Sequence, residues 1–341
     1  MTVKLKPVSE QSIVITGATS GIGLATARLA AEQGAKLVLA ARSEDALRRL
    51  SDRIRTAGGD AVFAAVDVGK PEAAAELSTL ARETYGGFDT WVNNAGVSIY
   101  GRLDEVPVDD MRRLFDTNFW GVVYGSLEAV KQLQENGGAL INIGSVLSDR
   151  AVPLQGSYSA SKHAVKGFSD ALRMEMEHAG APVSVTLVKP GPIDTPYLHH
   201  AKNYMDAEPT HVPPVYSPES VAKAILHAAS NPMRDIFVGG AAKGMSAFGR
   251  YSPRLTDKAM ERIFFEGSKS DQPPRRREEN NLDHPMGNLQ ERGGYDGHVM
   301  EMSVYTEAAT HPARTAAVLA GVGLAATAIW RTARGGLRQT S

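Results

Sequence analysis

The stretch GSYSASK places Tyr158 four residues before Lys162, so on a helix the two side chains share a face. An ammonium beside a phenol favours the phenolate and draws the tyrosine pKa toward a range useful for acid/base work. A second cluster, TGATSGIG from Thr16 to Gly23, follows an apolar β-branched run and precedes a helical pattern. In such a strand–turn–helix, Gly17 permits the tight turn, while Gly21 and Gly23 let backbone, ligand and helix approach closely. Thr19, Ser20 and Ile22 lie between these glycines, where the free N–H groups of a helix N-terminus would meet a pyrophosphate. Either cluster alone has an ordinary reading, a solvated helix face for the first and a sharp turn for the second. Their joint presence points to acid/base chemistry beside a bound nucleotide.

The elements that must position these residues recur along the chain. Short apolar runs (SIVITG, KLVLAAR, AVFAAVDV, DTWVNNAG, GALINIGS, VSVTLVKPG and DIFVGG) alternate with longer helical patterns such as IGLATARLAAEQG and EDALRRLSDRIRTAGG. Strands that are apolar throughout and alternate with helices imply an α/β, Rossmann-like doubly wound fold. The expectation is a seven-stranded, mainly parallel sheet with helices on both faces, in a catalytic domain over residues 10–265.

The second run ends in Ala40-Ala41-Arg42-Ser43, without the carboxylate that an NAD-type site usually places there to bind both ribose hydroxyls. Arg42 can pair with a 2′-phosphate, so NADP(H) is favoured over NAD(H); the ordinary alternative is a surface arginine at a turn. Glu44 and Asp45 are expected to begin the next helix, with Ser43 as its N-cap.

These residues together resemble the short-chain dehydrogenase/reductase family over roughly residues 10–240. The resemblance rests on TGATSGIG, Asp67-Val68 after the third run, NNAG at Asn93 to Gly96, Asn118 within FDTNFWG, Ser145 after the fifth run, Tyr158-x-x-x-Lys162, and Pro190-Gly191 followed by Thr195. A lone YxxxK arises often by chance, but the ordered set, with Ser145 thirteen residues before Tyr158, is specific. The resemblance implies an oxidoreductase that interconverts a carbonyl and an alcohol by hydride transfer. Tyr158 would donate or remove the proton, Lys162 would lower its pKa and bind the nicotinamide ribose, and Ser145 would polarise the substrate oxygen. Asn118 would anchor a water in a proton relay to the lysine. Asp67 and Val68 would meet the adenine, and Asn94, Ala95 and Gly96 the central part of the cofactor. Pro190, Gly191, Ile193 and Thr195 would meet the nicotinamide end. The resemblance also implies a homodimer or homotetramer built through helices near Asn118 and Tyr158.

Composition narrows the alternatives. The chain has 341 residues, 43% of them apolar, and a net charge of −1 from 37 basic and 38 acidic residues. That balance gives no reason to expect a nucleic-acid partner. The absence of cysteine excludes thiolate chemistry and thiolate metal sites. The histidines His199, His200 and His211 lack helical H-x-x-x-H spacing and are read as loop or substrate-pocket residues, with no metal expected. They fall in a segment from Tyr197 to Ser217 that is expected to form a loop over a small-molecule substrate, with tyrosines, prolines and Met205 enclosing a mainly apolar molecule or packing as a surface loop. The N-terminus carries no secretory pattern, so a cytoplasmic location is expected.

The tail differs from the domain. Residues 266–312 are rich in charge, Pro, Gly and Asn and are expected to form a flexible polar linker. Residues 313–332 are expected to form an apolar helix. Its uncharged core, Thr315 to Trp330, would span about 24 Å at roughly 1.5 Å per residue, short of the roughly 30 Å hydrocarbon core. It is read either as a helix docked on protein or as a membrane contact. Two function classes follow: the oxidoreductase, and a cofactor-binding regulatory or scaffold protein whose role lies in the tail. The intact Tyr158 and Lys162 favour the first.

Overall fold

The apolar runs pair as their composition requires. In this computed structural model, which describes residues 3–311 and residue 315, they form β1 (Ser12–Thr16), β2 (Lys36–Ala41), β3 (Asp60–Ala65), β4 (Thr90–Asn93), β5 (Gly138–Ile143), β6 (Val183–Pro190) and β7 (Asp235–Val238). All seven lie in one sheet in the order β7-β6-β5-β4-β1-β2-β3, and every neighbouring pair is parallel. The helices between them are α1 (Gly21–Glu32), α2 (Glu44–Thr56), α3 (Pro71–Tyr85), α4 (Val108–Phe115), α5 (Gly121–Asn136), α6 (Gly156–His178), the short α7 (Tyr197–His200) and α8 (Pro218–Ser230). Two further helices, α9 (Gly240–Tyr251) and α10 (Pro253–Gly267), follow the last strand.

Alternation along β1 shows how the sheet buries both faces. Ile13 and Ile15 join the cluster under α1, α2 and α8, while Val14 joins the opposite cluster under α3, α5 and α6. The expected Rossmann-like, doubly wound sheet is thus present. The strand order reverses between β1 and β4, which opens a crevice at the C-terminal ends of the strands.

The polar segment after α10, expected as a flexible linker, makes contacts with the domain. It has little regular structure, in keeping with its Pro, Gly and Asn content, but it is docked across the crevice. Its charges find fixed partners: Glu291 with Arg28 at 2.8 Å, Asp283 with Lys202 at 3.0 Å and with Arg113 at 2.6 Å. Leu282 is buried against Val97, Ile99 and Leu114, and Val299–Met300 pairs in parallel with Val215–Tyr216. Docking of this kind lets a segment with few apolar residues hold one path, because a handful of buried anchors and charged pairs replaces a core. The apolar tail expected over 313–332 lies outside the described residues, apart from Thr315. Among the described residues no helix is long and apolar enough to cross a membrane.

Candidate active site

The phosphate loop is shaped by close backbone approach. Gly17 and Gly21 adopt φ of +67° and +51°, a region that L side chains rarely enter. A Cβ on Gly23 would lie 2.1 Å from the Gly17 carbonyl oxygen, so α1 can pack on the turn only with glycine there. The side chain of Asn94 ties the end of β4 to this loop, with Nδ2 donating to the Thr16 carbonyl at 2.9 Å. Thr19, Ser20, Gly21 and Ile22 line the cleft on this side, with Ala95, Gly96 and Thr195 on others.

At the other end of the cleft stand Arg42, Ser43, Asp67 and Val68. Ser43 caps α2, as its position implies, accepting the Ala46 N–H at 3.4 Å. Arg42 is half-buried, and burial pulls its pKa down despite the opposing charges of Asp67 and Asp283. Its guanidinium donates to the Asn281 side-chain oxygen at 2.6 Å and also to the Asn281 backbone carbonyl. The glycine cradle at a helix N-terminus, with a cation at the end of β2, fits the phosphates of a dinucleotide.

A second cavity of about 390 Å³ adjoins the cleft and shares Ile22, Asn94, Gly96, Thr195 and Tyr197 with it. Ser145, Tyr158, Lys162, Pro190, Gly191 and Ile193 all line this cavity. Ser145 ends the loop after β5 and caps a single helical turn, its hydroxyl oxygen accepting the Leu147 N–H at 3.1 Å. The hydroxyl hydrogen therefore stays free for another partner. Tyr158 and Lys162 rise from the first turns of α6, one turn apart, with the ammonium 5.7 Å from the phenol ring centre. Lys162 is buried and donates to the Ile143 carbonyl at 2.8 Å. Burial lowers its pKa to about 8.

In this geometry burial, rather than the neighbouring ammonium, governs the Tyr158 pKa. Burial pushes the Tyr158 phenol above its ordinary value, partly offset by hydrogen bonds from Tyr197 and Ser145. Lys162 spends its ammonium on a carbonyl rather than on the phenol.

Asn118 lies neither in the cleft wall nor in the cavity wall. It sits in a π-helical turn, Asp116–Trp120, fully buried. Such turns concentrate at functional sites. Its Oδ1 accepts the Val97 N–H at 2.8 Å, while Nδ2 donates to the Val97 carbonyl at 3.0 Å and to Ser161 Oγ at 3.2 Å. Asn118 thereby fixes the strand leaving β4 against α6. A Cβ on Gly96 would fall 3.5 Å from Asn118 Oδ1 and 3.9 Å from Lys162 Nζ, so glycine keeps this corner open.

Tyr197, the first residue of the segment expected to form a loop over the substrate, borders both cavities, its ring edge-on to Tyr158 at 5.6 Å and its hydroxyl accepting from Gln155 Nε2 at 3.1 Å. Other lining residues escaped the sequence reading. Asn281, Pro285 and Met286 reach the cleft from the tail, where nothing local marks them. Met260, Ile263 and Phe264 of α10 add apolar wall to the second cavity beside Tyr100, Leu147 and Val212. His211 lines it too, and burial lowers its pKa to about 4, leaving the ring neutral. His199 instead meets the Gly293 carbonyl at 2.9 Å.

Comparison with known proteins places this geometry. The family model described as short chain dehydrogenase matches residues 11–205. The uncharacterized oxidoreductase YxnA of Bacillus subtilis is 48% identical over 323 residues, covering 94% of this chain and 91% of the relative, a span that takes in the docked tail segment. The putative oxidoreductase SadH of Mycobacterium tuberculosis is 34% identical over 70% of this chain and 89% of its own. Among solved structures, a short chain dehydrogenase/reductase from Burkholderia phymatum in complex with NAD aligns with a TM-score of 0.66 at 27% identity, over 75% of this chain and 96% of that one. An alcohol dehydrogenase from Thermococcus sibiricus complexed with 5-hydroxy-NADP aligns with a TM-score of 0.60 at 26% identity, over 67% and 95%.

Proposed function

This chain belongs to the short-chain dehydrogenase family, and from that premise we propose that it is an NADP(H)-dependent oxidoreductase interconverting a mainly apolar carbonyl compound and its alcohol. The observation that carries the reading is the convergence of Ser145, Tyr158 and Lys162 on one apolar cavity that opens into the nucleotide cleft. A nicotinamide cofactor, when bound, supplies or accepts the hydride. Gly17 to Gly23 would hold its phosphates, Arg42 its 2′-phosphate, and Gly96, Ile193 and Thr195 its nicotinamide end.

In reduction, Ser145 turns its hydroxyl hydrogen from Tyr158 to the carbonyl oxygen and favours the charge that develops there. Tyr158, kept protonated by its raised pKa, gives its proton to the alkoxide oxygen. Lys162 then stands next in line to restore that proton, because burial brings its pKa within reach of neutral pH. Asn118 acts on the same path by fixing Val97 and Ser161, whose hydroxyl donates to the Tyr158 carbonyl at 2.7 Å. In oxidation Tyr158 must lose its proton first, so alcohol oxidation gains rate with rising pH while carbonyl reduction loses it. The 390 Å³ cavity with Tyr100, Leu147, Met260, Ile263 and Phe264 favours a bulky apolar substrate. The faces of α5 and α6 that carry exposed Leu127 and Met174 are proposed to join copies of the chain into a homodimer or homotetramer.

The test is consumption of NADPH or NADH by the purified protein against a panel of aldehydes, ketones, quinones and steroid-type carbonyls. Turnover with NADPH that favours the bulkier apolar carbonyls is expected. Tight NADPH binding without turnover on any of them would overturn the oxidoreductase reading in favour of a regulatory nucleotide-binding protein.

A further inference from the structure

The docked tail runs the length of the nucleotide cleft, and its contacts fall on the groups that would hold a dinucleotide. Beginning at the adenosine end, Asn281 takes the Arg42 guanidinium with both its backbone and side-chain oxygens. Pro285 and Met286 then line the cleft, and the Gly287 carbonyl accepts from Arg49 at 2.9 Å. Farther on, the Gln290 carbonyl accepts the Gly21 N–H of the phosphate loop at 2.8 Å. At the nicotinamide end the N–H groups of Gly293 and Tyr295 both donate to Asp194, each at 3.0 Å. The tail thus occupies groups that a dinucleotide would use, the Arg42 guanidinium and the Gly21 N–H, so binding would require these contacts to be exchanged.

The anchorage is arranged to allow this. Leu282 is buried, and Asp283 shares Lys202 with Asp110, at 3.0 and 2.8 Å, so the start of the segment is held firmly beside α4. The stretch over the phosphate loop is tied by single carbonyl contacts and by the Arg28–Glu291 pair, in which both side chains are partly exposed.

We propose that the tail from Pro285 to Glu291 is a movable wall of the nucleotide site, hinged on the anchor at Leu282 and Asp283, and that the Asn281 side chain sets cofactor choice together with Arg42. The proposal rests on the reading of the cleft as a dinucleotide site. Asn281 is uncharged, so a 2′-phosphate can replace it on Arg42 with a stronger, charge-assisted contact. A ribose 2′-hydroxyl cannot make that exchange as well, because it offers no charge for the guanidinium. The 2′-phosphate would thus be read twice, by attraction to Arg42 and by release of the tail.

The test uses the full-length chain and direct binding of NADPH and NADH, followed by protein fluorescence without substrate. Asn281→Asp leaves a carboxylate on Arg42, which holds the tail closed and repels a 2′-phosphate. The NADPH-to-NADH affinity ratio is expected to fall at least tenfold in this variant, with NADH affinity also reduced, but by less, because the closed tail opposes both cofactors. Arg42→Ala is measured beside it. A shift of the ratio in Arg42→Ala but not in Asn281→Asp overturns the role of Asn281 and leaves the NADP(H) reading standing. No shift in either variant overturns both. Hydrogen–deuterium exchange on the wild-type chain gives a readout that needs no variant. Amides of residues 286–291 are expected to change exchange rate on NADPH addition, and more than on NADH addition. Exchange there that is indifferent to both cofactors overturns the movable wall.

Discussion

Among single residues, burial outweighs pairwise charge in this site. The four-residue spacing of Tyr158 and Lys162 reveals that the two share a face, and the ordered set around them identifies Ser145 and Asn118. What spacing does not reveal is that both groups are surrounded by apolar walls and that the ammonium turns to the Ile143 carbonyl. The two pKa values therefore move apart, the phenol up and the ammonium down to about 8. The lysine shift has a thermodynamic consequence. Between pH 8 and 10.5 the unfolded chain keeps its Lys162 proton and the folded chain does not, so stability rises with pH across that window. Below pH 8 the buried charge costs the fold about 3 kcal/mol at roughly 1.4 kcal/mol per pKa unit. Lys162→Met removes the charge. Denaturant unfolding with no cofactor added should show the difference between variant and wild type shifting toward wild type as pH rises from 8 to 10.5. A difference independent of pH would show that Lys162 titrates normally.

For the elements, the glycine loop and the helix that follows act as one unit. The sequence makes this unit legible because its signals are local: a β-branched run, glycines at fixed offsets and a helical pattern in one stretch. Gly23 is the sharpest case. A methyl group there would meet the Gly17 carbonyl oxygen at 2.1 Å, and a backbone atom cannot swing aside. Gly23→Ala should cost at least the roughly 1–3 kcal/mol typical of overpacking. It should also weaken nucleotide binding more than tenfold, since α1 must shift off the loop; calorimetry and a binding titration measure the two effects. Unchanged affinity would mean that this turn does not hold the phosphates. The docked tail is the opposite case. Asn281 lies 239 residues from Arg42, and Glu291 lies 263 residues from Arg28, so no window of sequence contains both partners. Composition implies an irregular segment there, but its long-range charge pairs and its buried leucine are not legible in composition.

Taken whole, the molecule presents one face to a proposed partner copy and another to its substrate. Leu127 on α5 and Met174 on α6 are 47% and 59% exposed, and Trp120, stacked on Tyr124 at 6.0 Å, is 45% exposed nearby. Large apolar side chains exposed on two helices near the catalytic residues favour self-association there. Leu127→Glu combined with Met174→Glu should reduce the particle mass measured by light scattering to that of one chain, without unfolding it. An unchanged assembly would place the interface elsewhere. Under the proposed function, Tyr158 in the wall of the second cavity is the proton donor of the site. The most direct measurement of that claim is turnover by Tyr158→Phe with NADPH and a carbonyl that the wild type reduces, alongside NADPH affinity of both proteins. Loss of the phenolic proton should reduce kcat by about 10²–10⁴, with affinity within a few-fold of wild type. Near-normal turnover at unchanged affinity would contradict the assignment of Tyr158 as the proton donor and with it the proposed mechanism.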